Sequence, residues 1–223
     1  MVGILLVAII SLTFSADGVR YVVVEGKVRG KKLTVYGTDG DLEVERLDVN
    51  VGYRGDTMVV EIRGESGLVI GGAGALLGLP PRLINLNLYA SASNIFLDLK
   101  KLSFSNIFIH STGSSISFSD RSGFLKLCDT LIVESSLSKI EFSGAGARSV
   151  SLVIFDFKST ISRFNFFDIR WKNIRLYARF SKFHFTGLFP GIKTYGILNF
   201  VSGKKGGVNP IELIGNINWI KIR

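Results

Sequence analysis

The chain has 223 residues, 47% of them hydrophobic, with 17 Phe and a formal net charge of +9. That apolar content excludes a disordered chain and is ample for a continuous core. A single cysteine, Cys128, excludes an intramolecular disulfide, and the two histidines, His110 and His184, lie 74 positions apart and read as separate surface residues rather than a metal pair.

Residues 2–14 carry no charge, and small residues follow at Ser15 and Ala16. This reads as a secretory signal over residues 1–16, because an apolar run of that length matches an export signal and is too short to span a bilayer. No Lys or Arg precedes it, so an uncleaved anchor and a buried first strand are the alternatives. No apolar run in the remaining chain reaches the ~18 residues of a membrane span.

Residues 21–24, 33–35, 42–44, 47–51 and 58–62 read as strands from β-branched enrichment and period-2 alternation. Leu42/Val44 follow Leu33/Val35 by nine positions, so a repeat begins near residue 20. Residues 71–81 then interrupt it with Gly71, Gly72, Gly74, Gly78, Pro80 and Pro81. The spacing is not that of a phosphate-binding glycine loop, and the prolines forbid the helix such a loop needs. A connecting loop is expected there, with room for one helical turn.

Between Leu86 and Phe185 one unit recurs five times, an apolar pair at i, i+2 followed nine residues later by a second. The pairs are Leu86/Leu88 with Ile95/Leu97, Ile107/Ile109 with Ile116/Phe118, and Leu131/Val133 with Ile140/Phe142. Phe155/Phe157 with Phe164/Phe166 and Ile174/Leu176 with Phe183/Phe185 complete the set. A fixed offset within a variable period means short strands at constant geometry joined by loops of free length, the pattern of a β-solenoid. Aligning the second pairs gives the columns Ile95–Ile116–Ile140–Phe164–Phe183 and Leu97–Phe118–Phe142–Phe166–Phe185, expected to stack inside the coil. The intervening turns form a serine column, including Ser93, Ser114, Ser138 and Ser181, which suits corners because small hydroxyl side chains bond their own backbone. Strands are expected again near 197–201 and 211–222, the segment 217–222 being an open end that could add to another chain.

The residues Leu33-Thr-Val-Tyr-Gly-Thr-Asp-Gly-Asp-Leu-Glu-Val44, echoed by 91–97, 111–118 and 135–142, resemble the adhesin domain family of right-handed β-helix proteins, relatives of auto-transporter head adhesins. The resemblance spans residues 20–200, although later turns lack the Gly-Asp step. It implies an all-β, single-stranded right-handed β-helix and a secreted or cell-surface protein without catalytic residues. About 7–8 rungs are expected. Residues 17–223 then form one domain, with 17–70 as irregular first rungs, 71–81 as the Gly/Pro loop, 82–200 as regular rungs and 201–223 as C-terminal strands.

Charge is uneven. Residues 157–223 hold twelve Lys/Arg against Asp168 and Glu212, a local +10, whereas residues 1–156 hold fifteen basic and sixteen acidic residues, a local −1. Arg163, Arg170, Lys172, Arg175, Arg179, Lys182 and His184 occupy non-anchor positions of this last third. Alternation sends Arg163, Arg175, Lys182 and His184 outward, and Lys139, Arg163 and Lys182 share one rung position. Such a basic stripe suits an anionic polysaccharide, lipid head groups or an acidic face of an envelope protein or second subunit. Aromatics nearby would also suit nucleic acid, but no such motif is present and export disfavours it. Asp39, Asp41, Glu43 and Glu45 are the densest acidic group, yet they lack the spacing of a calcium loop. The basic face lacks the carboxylates a polysaccharide-cleaving β-helix would need. No cofactor and no catalytic activity is expected. The reading is a non-enzymatic, exported adhesion or structural module, with end-to-end filament assembly as its alternative.

Overall fold

The computed structural model describes residues 11–63, 74–119, 130–143, 151–155, 163–167, 175–186, 192–203 and 211–223. Within them every regular element is a strand, as the alternation predicts. The first are β1 (Ser11–Phe14), β2 (Tyr21–Arg29), β3 (Lys32–Gly37), β4 (Leu42–Glu45), β5 (Val49–Arg54), β6 (Thr57–Ile62) and β7 (Ala75–Leu79). The middle of the chain supplies pairs: β8 (Leu83–Ser91) with β9 (Asn94–Asp98), β10 (Ser103–Thr112) with β11 (Ser115–Ser119), and β12 (Thr130–Ser136) with β13 (Lys139–Ser143). Next come β14 (Ser151–Phe155) with β15 (Arg163–Phe167) and β16 (Arg175–Arg179) with β17 (Lys182–Thr186). The last are β18 (Ile192–Tyr195), β19 (Phe200–Ser202), β20 (Ile211–Asn216) and β21 (Trp219–Ile222).

Two mixed sheets result, one of 11 strands and one of 10. β8, β10, β12, β14 and β16 run parallel in the second sheet, and their partners β9, β11, β13, β15 and β17 run parallel in the first. The expected columns are in register: Ile95, Ile116, Ile140, Phe164 and Phe183 align, as do Leu97, Phe118, Phe142, Phe166 and Phe185. Leu33 and Val35 extend them at one end, Ile220 and Ile222 at the other. Phe118, Phe142, Phe183 and Phe185 are almost wholly buried, and the Phe118 and Phe142 rings stack with centroids 4.6 Å apart at 13°. Alternation is the cause: one residue in two faces the core, and parallel register puts like on like.

The corners repeat as well. Two residues before the strand that follows each corner, Ala92, Gly113, Leu137, Phe180, Leu198 and Ile217 adopt positive φ, between 49° and 59°. The residue after each is Ser or Asn. The Ser93 amide donates to Ser114 Oγ (3.1 Å), the Ser114 amide to Ser138 Oγ (3.2 Å) and the Ser181 amide to Asn218 Oδ1 (3.0 Å). Each buried side chain thus satisfies an amide of the neighbouring layer, which is why a small polar residue recurs inside an apolar stack.

Four expectations need correction. In the fourth unit, pairing aligns Leu152 and Ile154, not Phe155 and Phe157, with Leu131 and Val133. Phe155 aligns with Glu134 and Tyr177, and Phe157 lies outside the described residues. A largely apolar run, interrupted only by Asp156, offers both parities, and a one-residue slip exchanges the faces. The Gly/Pro segment is not all loop, because its residues 75–79 form β7, with Ala75, Leu77 and Leu79 buried. Its glycine at position 78 answers to space: a Cβ there would lie 2.6 Å from Thr38 Cγ2 and 2.8 Å from Tyr36 Cζ. Leu42/Val44 are not the continuation of a repeat either, for β4 runs antiparallel to β7 in the same sheet as β3.

The fourth correction concerns the ends, where strand order departs from chain order. The pair β2/β3 lies between β6/β7 and β8/β9. At the other end β20/β21 lies between β16/β17 and β18/β19. The segment 217–222 is therefore bonded on both sides, and β18 and β19 form the edges. At the opposite end β1 pairs antiparallel with β4, and β5 with β6. Thus Ser11–Phe14, part of the expected export signal, is an exposed edge strand, followed by a buried Ala16 whose amide donates to Asp41 Oδ1 (3.0 Å).

Candidate functional site

The outer face of the 11-stranded sheet carries two columns that run across β13, β15, β17, β21 and β19. One reads Lys139, Arg163, Lys182, Trp219 and Phe200; the other reads Glu141, Asn165, His184, Lys221 and Ser202. Alternation produces both, because the residues between them are the core positions 140, 164, 183, 220 and 201. All of these side chains except Glu141 line a groove of about 790 Å³, within the ~300–1,000 Å³ usual for ligand sites.

Adjacent strands are ~4.8 Å apart, so successive side chains of a column stand at about that spacing. Lys139 is offset by Glu141, Nζ to Oε2 at 3.2 Å. Among the described residues, Arg163, Lys182 and Lys221 have no carboxylate within ion-pair distance. Arg163 and Lys182, successive in one column, repel by up to about 1 kcal/mol in water, less with salt, and an anion between them reverses the sign. His184 responds to the same field: partial burial, followed by the nearby Arg223 and Lys221 charges, pushes its pKa below the ordinary imidazole value. Near neutrality it is an uncharged donor and acceptor among cations.

The seven cationic or imidazole residues expected to act together do not share one face. Arg163, Lys182 and His184 lie along this groove. Arg175 and Arg179 belong to β16 in the other sheet, where Arg175 aligns with Glu212. Arg170 and Lys172 lie outside the described residues. Sequence reading omitted Trp219, Phe200 and Lys221. Their signal was available, since Ile217-Asn-Trp-Ile-Lys-Ile222 repeats the spacing of Phe180-Ser-Lys-Phe-His-Phe185.

The acidic group is otherwise engaged. Tyr36 Oη donates to Glu43 Oε2 at 2.7 Å, Lys101 Nζ meets Asp39 Oδ1 at 2.6 Å, Glu45 pairs with Arg46, and Asp41 accepts from the Ala16 amide. Burial, then the bond to Glu43, pushes the Tyr36 phenol up to about 12. Among the described residues no three His, Cys, Asp or Glu side chains converge as metal ligands. His110 pairs with Glu134 (2.7 Å) and stacks on Tyr89 on the outer face of the 10-stranded sheet, apart from His184.

No protein-family model matches the chain, and no curated protein does. Among solved structures, the chain is similar to a candidate adhesin from Bacteroides fragilis at 12% identity and TM-score 0.45, covering 97% of this chain and 98% of that one. It is also similar to a candidate cell adhesion protein from Clostridium sporogenes, at 8% identity and TM-score 0.39, covering 96% and 99%. A candidate adhesin from Parabacteroides distasonis gives 12% identity and TM-score 0.37, covering 97% of each chain.

Proposed function

We propose that the protein is an exported, non-enzymatic surface module that holds an anionic partner in the groove of Arg163, Lys182 and Lys221. The observation that carries this reading is a set of three cations on neighbouring strands, Arg163 and Lys182 in one column and Lys221 in the next, with no ion-pair carboxylate among the described residues and with the His184 pKa pushed down beside them. Cations at strand spacing fit a repeating anion better than a single one, since Lys139, Arg163 and Lys182 follow one another in one column and Lys221 stands in the neighbouring column one strand further on. Residues 1–16 act as the export signal in this proposal, and 17–223 form one domain whose stacked pairs wind as a right-handed coil. The test is binding of the purified chain to an immobilised polyanion over a salt series. Affinity falls steeply with ionic strength if the groove acts through charge, and salt-independent binding rules the reading out.

A second reading is end-to-end assembly. It is favoured by β18 and β19, which are edges of both sheets at one end, flanked by exposed Tyr195, Ile197, Leu198 and Phe200. Unpaired edges with apolar side chains add strands readily. Size-exclusion chromatography and negative-stain imaging separate the two: fibres support this reading, and a monomer at all concentrations refutes it.

A further inference from the structure

The groove does not continue as cations. Beyond Lys182 its first column passes to Trp219 and then Phe200. Their rings lie 6.2 Å apart at 16°, and Trp219 and Phe200 are 42% and 54% exposed as residues, so apolar surface of both remains in water. Polar groups run parallel to the whole groove: Asn165 and His184 in the second column level with Arg163 and Lys182, and Ser202 level with Phe200. A partner made only of phosphate or carboxylate would gain nothing from the rings. A membrane surface would need aromatic residues projecting beyond the cations, whereas here they line a concavity. A single nucleic-acid strand is tracked by aromatic platforms recurring along the groove, and here the rings are confined to one end.

Resting on the basic-groove reading above, we propose that the partner is an acidic polysaccharide. Its carboxylate or sulfate groups lie along Arg163, Lys182 and Lys221, and the C–H face of one saccharide ring covers Trp219 and Phe200. Hydroxyl groups meet Asn165, His184 and Ser202. Covering the rings removes apolar area from water, which is favourable and independent of salt, so the site combines a screened and an unscreened contribution.

The test uses the full chain against polygalacturonate, dextran sulfate, neutral dextran, inorganic polyphosphate, oligo-dT and anionic phospholipid vesicles. Variants are Trp219→Ala, Trp219→Phe and Phe200→Ala, each checked for retained β-sheet by circular dichroism. Phe200 lies on an edge strand, so its truncation leaves β21 paired with β17 and guards against a folding failure of Trp219→Ala. At least one acidic polysaccharide is expected to bind and neutral dextran not to. Trp219→Ala or Phe200→Ala should weaken that binding about fivefold while leaving polyphosphate binding unchanged, and Trp219→Phe should retain most of it. If polyphosphate, oligo-dT or vesicles bind as tightly as the polysaccharides and the aromatic variants lose nothing, the saccharide assignment is overturned while the basic groove stands. If no polyanion binds, both fall.

Discussion

Replacing Phe142 with alanine measures how much of the fold rests on its aromatic ladder. The side chain is 1% exposed, and its ring stacks on Phe118 at 4.6 Å. Truncating a buried Phe costs about 3–5 kcal/mol in transfer and cavity terms. Of this, ~0.5–1.5 kcal/mol belongs to the ring pair and disappears from the double variant Phe118→Ala/Phe142→Ala. Against a total stability of ~5–15 kcal/mol the single change removes a large fraction, equivalent to a melting temperature lower by roughly 10 °C in a chain of this size. Phe142→Leu keeps most of the volume and should cost less than about half as much. Phe142→Asp buries a charge without a partner and should abolish folding. Urea unfolding of the four alanine-cycle proteins gives both numbers. A loss below about 1 kcal/mol for Phe142→Ala, or no coupling to Phe118, would refute the argument that stacked core columns stabilise these sheets.

Four further outcomes follow from the same contacts. Ser138→Ala strands the Ser114 amide and removes the 2.8 Å bonds to Ser111 Oγ and the Ser136 carbonyl, so urea unfolding should show a loss of about 1–3 kcal/mol. Leu137 is exposed at φ 53°, the corner position that Gly113 fills in the preceding layer, and Leu137→Gly should stabilise by about 0.5 kcal/mol through relief of left-handed strain. Truncation after residue 203 deletes β20/β21, an inner layer, so β18 and β19 should lose protection from amide exchange; if they stay protected, the intercalated order is wrong. His184 titrates below the ordinary imidazole value, so between its folded pKa and about 6.5 the unfolded chain binds more protons. Stability should therefore fall as the pH drops below about 6.5, and His184→Gln, which keeps Lys182, Lys221, Arg223 and Asn165 around it, should flatten that part of the profile; an unchanged profile contradicts the shift.

Much of this was legible in the residues. The interior columns of the 11-stranded sheet were, because Ile95 to Phe185 alternate with polar neighbours at every layer but for Phe96 and Phe167, so the column as a whole has one apolar parity. The serine corners were legible for the same reason, small hydroxyls recurring at one spacing. Residues 152–157 were not, since six largely apolar positions leave the choice of face to the strands on either side. The order of the end layers was also hidden: β18/β19 and β20/β21 carry similar alternation, and which docks on β16/β17 is decided by non-local pairing. The cation row was half legible. Lys139, Arg163 and Lys182 share a repeat position, but that Arg175 and Arg179 belong to the other sheet, and that Trp219 and Phe200 extend the column, depends on which strands become neighbours.

Lys182 and Arg179 lie three positions apart in sequence and on different sheets, which makes them the sharpest test of a face-specific anion site. Lys182→Glu and Arg179→Glu change the net charge equally. Binding to one acidic polymer at a fixed low salt concentration should weaken at least about fivefold more for Lys182→Glu than for Arg179→Glu. Equal losses would mean that attraction follows total charge and that the groove is not the site.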